Sequence, residues 1–496
     1  MKSLQTRAII HLDLDAFYAQ VEQVRLGLDA SVPLCVQQWT AVIAVNYAAR
    51  KFGIKRSHSA KECVDLCPDV VLVHVPTMKE GDVTPVHRQL SAKDKHTHKV
   101  SLQPYQDASL KIMKIIESHF PDFQKASVDE AYIDVTLKVA ELMEEYDPDV
   151  EPIVDWSGRG NMIGGEVSVT KGWEDLQLAL AADISAQIRA EIFDTLGYTS
   201  STGIAHNKTL AKLISSENKP NKQSILRGEM VSEYMKGVQF SKIKGLGGNF
   251  GELVNQHFPV DKATELWKYD IDEMKSKLGN EDGQWVYDIC RGICHDPVVK
   301  AKPPASYGAF KLFNWSVKTV PELHRWIGIL SVECQIKLDN DFHEYKRWPK
   351  TLTVHYRQPN FSKTINFPHR DDFKDIQSLV LPILPTDVEL QIRNISITLN
   401  SPVKISTNTI SKWLKVEDST VNEDSEYRCT ECLKIIQKIN QQEHQDYHLA
   451  LELSRSSDKP AVDTKPKQTD KQKKNQKKDP VKKKTIAEFF KPKSSR

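Results

Sequence analysis

The stretch AIIHLDLDAFYAQVEQVR, residues 8–25, narrows the folds open to this chain more than any other. Ala8, Ile10, Leu12 and Leu14 alternate with Ile9, His11, Asp13 and Asp15, which is the period of a β-strand with four apolar residues on one face and both carboxylates on the other. A strand rarely carries two such acids unless water, a cation or a reaction needs them. A second acidic pair, Asp129 and Glu130 in SVDEAYIDV, enters another strand pattern. Neighbouring strand residues point to opposite faces, so both of these acids reach one site only at a bend or hairpin. Asp13, Asp129 and Glu130 can then converge on two Mg²⁺ ions about 3.5–4 Å apart, hard cations that take oxygen ligands and share them with substrate phosphates. Taken singly, each pair also fits a solvated strand edge.

At 496 residues the chain exceeds one hydrophobic core, and about three or four domains are expected. The composition, 40% hydrophobic and 27% charged, is that of a soluble globular protein. No run of about 18 apolar residues and no signal-peptide pattern is present, so no membrane partner is expected. Eight cysteines without the density of a disulfide scaffold point to a reducing, intracellular compartment. Helical spacing runs through QDASLKIMKIIESHF, through WEDLQLALAADISAQIRAEIFDTLGY up to a Gly stop, and through PELHRWIGILSVECQIKL, which the strand TLTVHYR follows. The Asp-, Pro- and Gly-rich residues 146–170 read as a long surface loop. The net charge of +2 conceals a division: residues 458–496 hold 14 Lys or Arg against 5 Asp or Glu, a surplus of nine, which leaves the rest at minus seven. Any grip on nucleic acid within the body must come from local basic patches.

HLDLDAFYAQVEQ together with ASVDEAYIDVT resembles the two catalytic motifs of the Y-family, translesion DNA polymerases. The likeness continues in the family's order through AVNYAARKFGIKRS, STGIAHNKTLAKLISSENKPN and IKGLGG, covering roughly residues 5–400. It implies an α+β right-hand architecture: a palm with a mixed sheet over 1–16 and 80–240, fingers over 17–79, a helical thumb with a helix-hairpin-helix over 241–304, and an α/β little finger over 305–402. It implies two-metal nucleotidyl transfer on primer–template DNA, with Asp13, Asp129, Glu130 and the backbone carbonyl of Leu14 holding two Mg²⁺ ions, and Asp15 supporting them. Tyr18 matches the steric gate beneath the sugar, while Phe17 reads as a core aromatic. Tyr47, Arg50 and Lys219 match contacts to the deoxynucleoside triphosphate, and Arg56 should lie over the incoming base. Gln37 faces the templating base, in a register that adjacent Gln38 shares. Ser57, a small residue in the roof of the nascent pair, suits a bulky template lesion such as a cis-syn thymine dimer, or else starts a helix. Gly245, Gly247 and Gly248 let backbone amides approach a DNA phosphate, and Lys311, Arg347, Lys350 and Arg357 are further candidate phosphate contacts or merely solvated. Cys290 and Cys294 beside His295 have no second ligand pair nearby and read as buried thiols.

A linker over 403–425 leads to YRCTECLKIIQKINQQEHQDYHLALELS, where Cys429, Cys432, His444 and His448 have the spacing of one structural, tetrahedral Zn²⁺ site in a small ββα finger over 426–454. A DNA-reading finger is the generic reading, but this helix is acidic and resembles ubiquitin-binding zinc fingers, with Asp446, Ala450 and Leu453 forming the stripe for the partner. The tail over 455–496 is basic and without periodicity, the composition of a disordered segment. Within it KKKTIAEFFKPK resembles the box that binds the sliding clamp, with Ile486, Phe489 and Phe490 as the plug and Lys483 in place of the usual Gln. These modules imply ubiquitin or a ubiquitinated sliding clamp as partners, a monomer, and the nucleus, to which the Lys run suits import. Two rivals share the motifs: another Y-family member with a different lesion preference, and a noncatalytic ubiquitin- and clamp-binding adaptor.

Overall fold

The alternation at residues 8–15 forms the strand β1 (Ile9–Leu14), which lies inside a six-stranded mixed sheet. The other strands of this central sheet are β2 (Gln124–Lys125), β3 (Glu130–Asp134), β4 (Asn161–Met162), β5 (Ser200–Ala205) and β6 (Gln223–Ile225), in the order β4-β6-β5-β1-β3-β2. The computed structural model describes residues 6–385 and 389–404, and two further strands at Glu426–Arg428 and Ile435–Gln437. The chain divides into two compact units near residue 404. In the second, those two strands pair antiparallel with Tyr427 opposite Ile436.

The apolar face of β1 behaves as its period predicts. Ala8, Ile10, Leu12 and Leu14 are buried in one core with Tyr105, Ile112 and Ile116 from the helix Gln103–His119 and Leu178, Ala181 and Ile188 from the helix Trp173–Leu196. Each of the Ile and Leu side chains contributes about 1.5–3 kcal/mol by leaving water. The opposite face is open only at its far end. At the start of the strand Ile9 and His11 are fully buried, because a short helix, α1 (Lys208–Ile214), lies against them. Gly203 in β5 permits that approach: a Cβ at this position would stand 2.0 Å from the Ala211 carbonyl oxygen.

Residues 146–170 depart from the loop expected of them. Ile153–Asp155 pairs antiparallel with Val169–Lys171, and β4 extends the central sheet beside β6. Trp156 provides the reason: it is buried in the main core, and its indole N–H donates to Thr170 Oγ1 at 2.9 Å. The Asp, Pro and Gly residues mark the turns around these strands.

A three-stranded sheet, Ala41–Val45, Leu34–Gln38 and Val71–His74 in that order, follows the first helix. Residues 228–293 are mostly helical and share a core containing Phe240, Leu246, Val254, Phe258 and Val286. A second sheet holds β7 (Ser306–Val317), β8 (Thr351–Arg357), β9 (Phe361–Asn366) and β10 (Ile392–Asn400) in the order β7-β10-β8-β9. Its inner face packs Leu352, Val354, Tyr356, Ile397 and Leu399 with Trp326 and Leu330 of the long helix α2 (Val320–Tyr345). Met78, from the segment that leads back to the central sheet, is buried in this second core. Nearby, the His96 ring packs at a tilt against Trp315, 4.1 Å between ring centres, and Lys99 pairs with Glu333 of α2. Among the described residues, no helix is long and apolar enough to cross a membrane.

Candidate active site and nucleic-acid interface

β1 and β3 run antiparallel with Asp13 directly opposite Glu130, so both carboxylates project from one face of the sheet. Asp129 stands just before β3, at a tight turn where the amides of Ala126 and Ser127 donate to the Glu130 carbonyl at 2.9 and 3.2 Å. The Leu14 amide closes this end of the sheet by donating to the Asp129 carbonyl at 2.9 Å. That turn is the bend which two adjacent acids need in order to reach one site. Ser127 Oγ donates to Asp129 Oδ1 at 2.5 Å. Lys219 pairs with Asp13, and the Lys212 ammonium, carried by α1, bridges both Glu130 oxygens at 2.6 and 2.7 Å. The group opens on a cleft of about 810 Å³ whose walls include Tyr234, Lys242 and Lys244.

Burial, above all, pushes the Asp13 carboxyl up; Lys219 opposes this, and the charges of Glu130 and Asp129 add to the rise. Glu130 is held down at about 2 by His11 and, against the cost of burial, by Lys212. At 3.7 Å the His11 Nε2 is beyond hydrogen-bond range, and Lys212, at 2.6 Å, is the main hold. Burial keeps His11 itself neutral, lowered to about 4. Carboxylates that burden one another, with two ammonium groups drawn in against them, form a donor set suited to a hard divalent cation. Among the described residues, no three acid, His or Cys side chains form a closed cage. Asp15 takes a supporting place: it is buried and accepts from Ser201 Oγ at 2.7 Å and the Asn221 amide at 2.8 Å.

The other residues expected to meet the nucleotide are placed as follows. The Tyr18 ring lies on Tyr105 at 4.3 Å, and the Tyr105 hydroxyl donates to buried Glu22 at 2.8 Å. Burial raises the Tyr18 hydroxyl, as does the charge of Asp129, while Arg56 lowers it. The Arg50 guanidinium stands 4.4 Å from the centre of the Tyr47 ring. Lys219 lies with Asp13, where its ammonium meets a carboxylate. Gln37 sits at a bulge in its strand, with Oε1 buried and without a partner among the described residues. Ser57 does not start a helix: it has φ +74°, and Ser59 caps the helix that follows through a reciprocal pair with Glu62. Phe17 is buried, as a core aromatic should be.

The glycine loop precedes the helix Asn249–His257. Gly245 has φ +97°, and a Cβ there would meet the Trp285 ring at 2.9 Å. Gly247 lies close to the Ser241 carbonyl, and Gly248 caps the helix with open space before it. Gly251 carries a constraint the sequence reading missed, since its Cβ would stand 1.8 Å from the Leu246 oxygen and force loop and helix apart.

The four candidate cations of the second sheet have different fates. Lys350 and Arg357 are exposed. Lys311 is half-buried, 4.9 Å from the Trp326 ring centre, and lowered to about 8 by burial and by Lys99 and Lys95. Arg347 does not face solvent as a phosphate contact would: it is buried and paired with Asp341, with Nε to Oδ2 at 3.2 Å. What the sequence reading overlooked is the outer face itself. Ser306, Asn400, Thr351 and Asn366 form one cross-strand row, Gly308, Thr398, Thr353 and Thr364 the next, then Phe310, Ser396, His355 and Ser362, then Leu312, Asn394 and Arg357. No carboxylate occurs in these rows. The alternation in TLTVHYR and ISITLN was the signal for it.

Cys290 and Cys294 are buried thiols, and burial pushes Cys290 up to about 12. The zinc positions Cys429, Cys432, His444 and His448, the stripe Asp446, Ala450 and Leu453, and the box Ile486, Phe489 and Phe490 lie outside the described residues.

Comparison with known proteins shows the family of this chain. The impB/mucB/samB family model matches residues 12–216 and the model of that family's C-terminal domain matches 304–410. The chain belongs to this family, the Y-family DNA polymerases. Within it the chain is similar to eta polymerases: it is 29% identical over 396 residues to DNA polymerase eta of Drosophila melanogaster, covering 72% of this chain and 43% of that protein. With DNA polymerase eta of Saccharomyces cerevisiae it shares 25% over 560 residues, 90% of this chain and 88% of that one. With N-acetyltransferase eso1 of Schizosaccharomyces pombe it shares 30% over 546 residues, 90% and 62% respectively. The chain therefore spans less than two thirds of the length of several of these relatives. A helix-hairpin-helix model of eta and Rev1 polymerases matches 239–293, and a ubiquitin-binding zinc finger model matches 425–456.

Proposed function

We propose that the chain is a template-directed DNA polymerase of the eta type, which extends a primer past UV damage such as cis-syn thymine dimers. The observation that carries this reading is the Asp13–Glu130 pair on adjacent strands, with Asp129 at the turn beside them, facing a cleft walled by lysines. Asp13, Asp129, Glu130 and the Leu14 carbonyl would hold two Mg²⁺ ions. When bound, these supply a lowered pKa at the primer 3′-hydroxyl and neutralise the triphosphate and departing pyrophosphate. The protein's own residues do the rest. Tyr47 and Arg50 bind phosphate oxygens, and Lys219 exchanges Asp13 for the triphosphate. Tyr18, backed by Tyr105, excludes a 2′-hydroxyl, while Arg56 and Gln37 border the nascent pair. Ser57, with its small side chain in a left-handed turn, leaves room for a bulky template lesion.

The palm, fingers, thumb and little finger correspond in this reading to the central sheet, the three-stranded sheet, the helical residues 241–304 and the second sheet. The glycine loop at 245–248 takes a DNA phosphate. The carboxylate-free face of the second sheet lies along the duplex, since an acid there would repel the phosphates. The zinc finger, holding one Zn²⁺, recruits the polymerase to ubiquitin on the sliding clamp, PCNA, and the terminal box engages the clamp itself. A nuclear monomer fits these roles.

Primer extension with Mg²⁺ on undamaged and thymine-dimer templates tests the reading. Comparable insertion opposite both thymines is the expected result. A stall at the first thymine with normal synthesis elsewhere identifies another Y-family specificity, and no extension on either template leaves only the adaptor.

A further inference from the structure

His11 is fully buried on the sheet face that carries Asp13, with its ring 4.7 Å from that of Tyr132 on the neighbouring strand. It sits one rung behind the Asp13–Glu130 pair, because His11 is opposite Tyr132 in the same register. Its Nδ1 is 2.8 Å from Ser215 Oγ at the end of α1. Its Nε2 has no hydrogen-bond partner among the described residues, and Glu130 Oε2 lies 3.7 Å from it. A buried polar nitrogen without a partner costs about 1–3 kcal/mol, so its retention calls for a reason. Here both Glu130 oxygens are engaged by Lys212, at 2.6 and 2.7 Å. The carboxylate is drawn just beyond the reach of the imidazole.

We propose that His11 is a positioning residue for Glu130: its Nε2–H takes one carboxylate oxygen when a divalent cation draws the other away from Lys212. The inference rests on the reading of Glu130 as a metal ligand. The Ser215 hydroxyl donates to the Lys212 carbonyl at 2.8 Å and its oxygen is 2.8 Å from His11 Nδ1, so turning that proton to Nδ1 moves the ring proton to Nε2, the tautomer that cation binding would select. A donor fixed behind a carboxylate ligand holds that ligand in one rotamer, and losing such a partner typically weakens metal binding about 10–100-fold.

The test titrates Mn²⁺ into the full chain bound to a primer–template with a 3′-dideoxy end and the matching deoxynucleoside triphosphate. Free Mn²⁺ is followed by electron paramagnetic resonance, so that no turnover enters the readout. His11→Asn keeps the link to Ser215 but ends short of Glu130, and its Mn²⁺ affinity should fall about tenfold. His11→Gln places an amide nitrogen where Nε2 stood and should restore most of the affinity. Ser215→Ala removes the tautomer anchor and should also weaken binding. Equal affinities for His11→Asn and His11→Gln, or an unaltered affinity for Ser215→Ala, overturn the inference. Glu130→Gln separates the two levels. If it alone loses Mn²⁺, the ligand reading stands and the role of His11 falls; if it too binds like the parent, the ligand reading falls with it.

Discussion

The central sheet turns Asp13 and Glu130 toward its cleft, each met by a lysine, whereas the outer face of the second sheet carries four cross-strand rows free of any carboxylate. Both sheets arise from the same alternation of apolar and polar residues, and both bury the apolar set against helices. The difference lies in what the polar set is for. Acids on an open face store negative charge that a cation can claim, while Thr, Ser and Asn offer hydrogen bonds to a polyanion without repelling it. At Asp341, on the helix behind the second sheet, a buried arginine neutralises the acid and the pair is sealed from the surface. Period tells which face is open; residue chemistry tells what it meets.

The largest expected effect is on stability, at that sealed pair. Asp341→Ala leaves the Arg347 charge buried and alone, which should cost about 3–5 kcal/mol in denaturant unfolding. A cost below 1 kcal/mol would mean Arg347 reaches water readily and the sealed and open acids do not differ. Next comes Glu130→Gln, which removes a charge at nearly constant volume. Primer extension should fall about 10²–10³-fold while DNA binding persists, and near-parental extension would make the acid face a mere solvated edge. Thr398→Glu puts an acid on the uncharged face. DNA binding should weaken about tenfold at low salt and less at high salt, with turnover at saturating DNA unaltered. If binding is indifferent to this change, the face does not lie along DNA.

The smallest effect concerns Lys311→Met. Burial depresses the lysine from 10.5 to about 8, so its charged form strains the folded state. The unfolded chain therefore binds more protons than the folded one between those values, and parental stability rises with pH across that window. The Met variant should gain about 1 kcal/mol below pH 8, an advantage that vanishes as the pH approaches 10.5. A gain independent of pH would assign the effect to packing against Trp326.

Much of this was legible in the sequence because it is local. The strand Ile9–Leu14, the helices at 103–119, 173–196 and 320–345, and the acids at 13, 129 and 130 all follow from period and residue type. Asp15 as a support and Cys290 as a buried thiol were also readable. What escaped depends on partners distant in the chain. Lys212 becomes a hold on Glu130 only because Gly203 lets α1 lie on β5, and no local signal couples those three residues. Arg347 looks like any surface cation until α2 brings Asp341 beside it. The strands inside 146–170 are two or three residues long, too short for a period to register, and Trp156 was the one apolar cue.

Met78 belongs by chain order to the part before the helix Gln103–His119, yet its side chain is buried in the core of the second sheet. Its insertion changes the kind of attachment. A domain tethered only by the exposed residues 299–305 would search a volume of orientations, and binding a duplex would bear that lost entropy. With one residue of the first part completing the core of the other, and His96 on Trp315 beside it, the search is settled during folding. The two parts should then melt in one transition and stay together after proteolytic cleavage at 299–305.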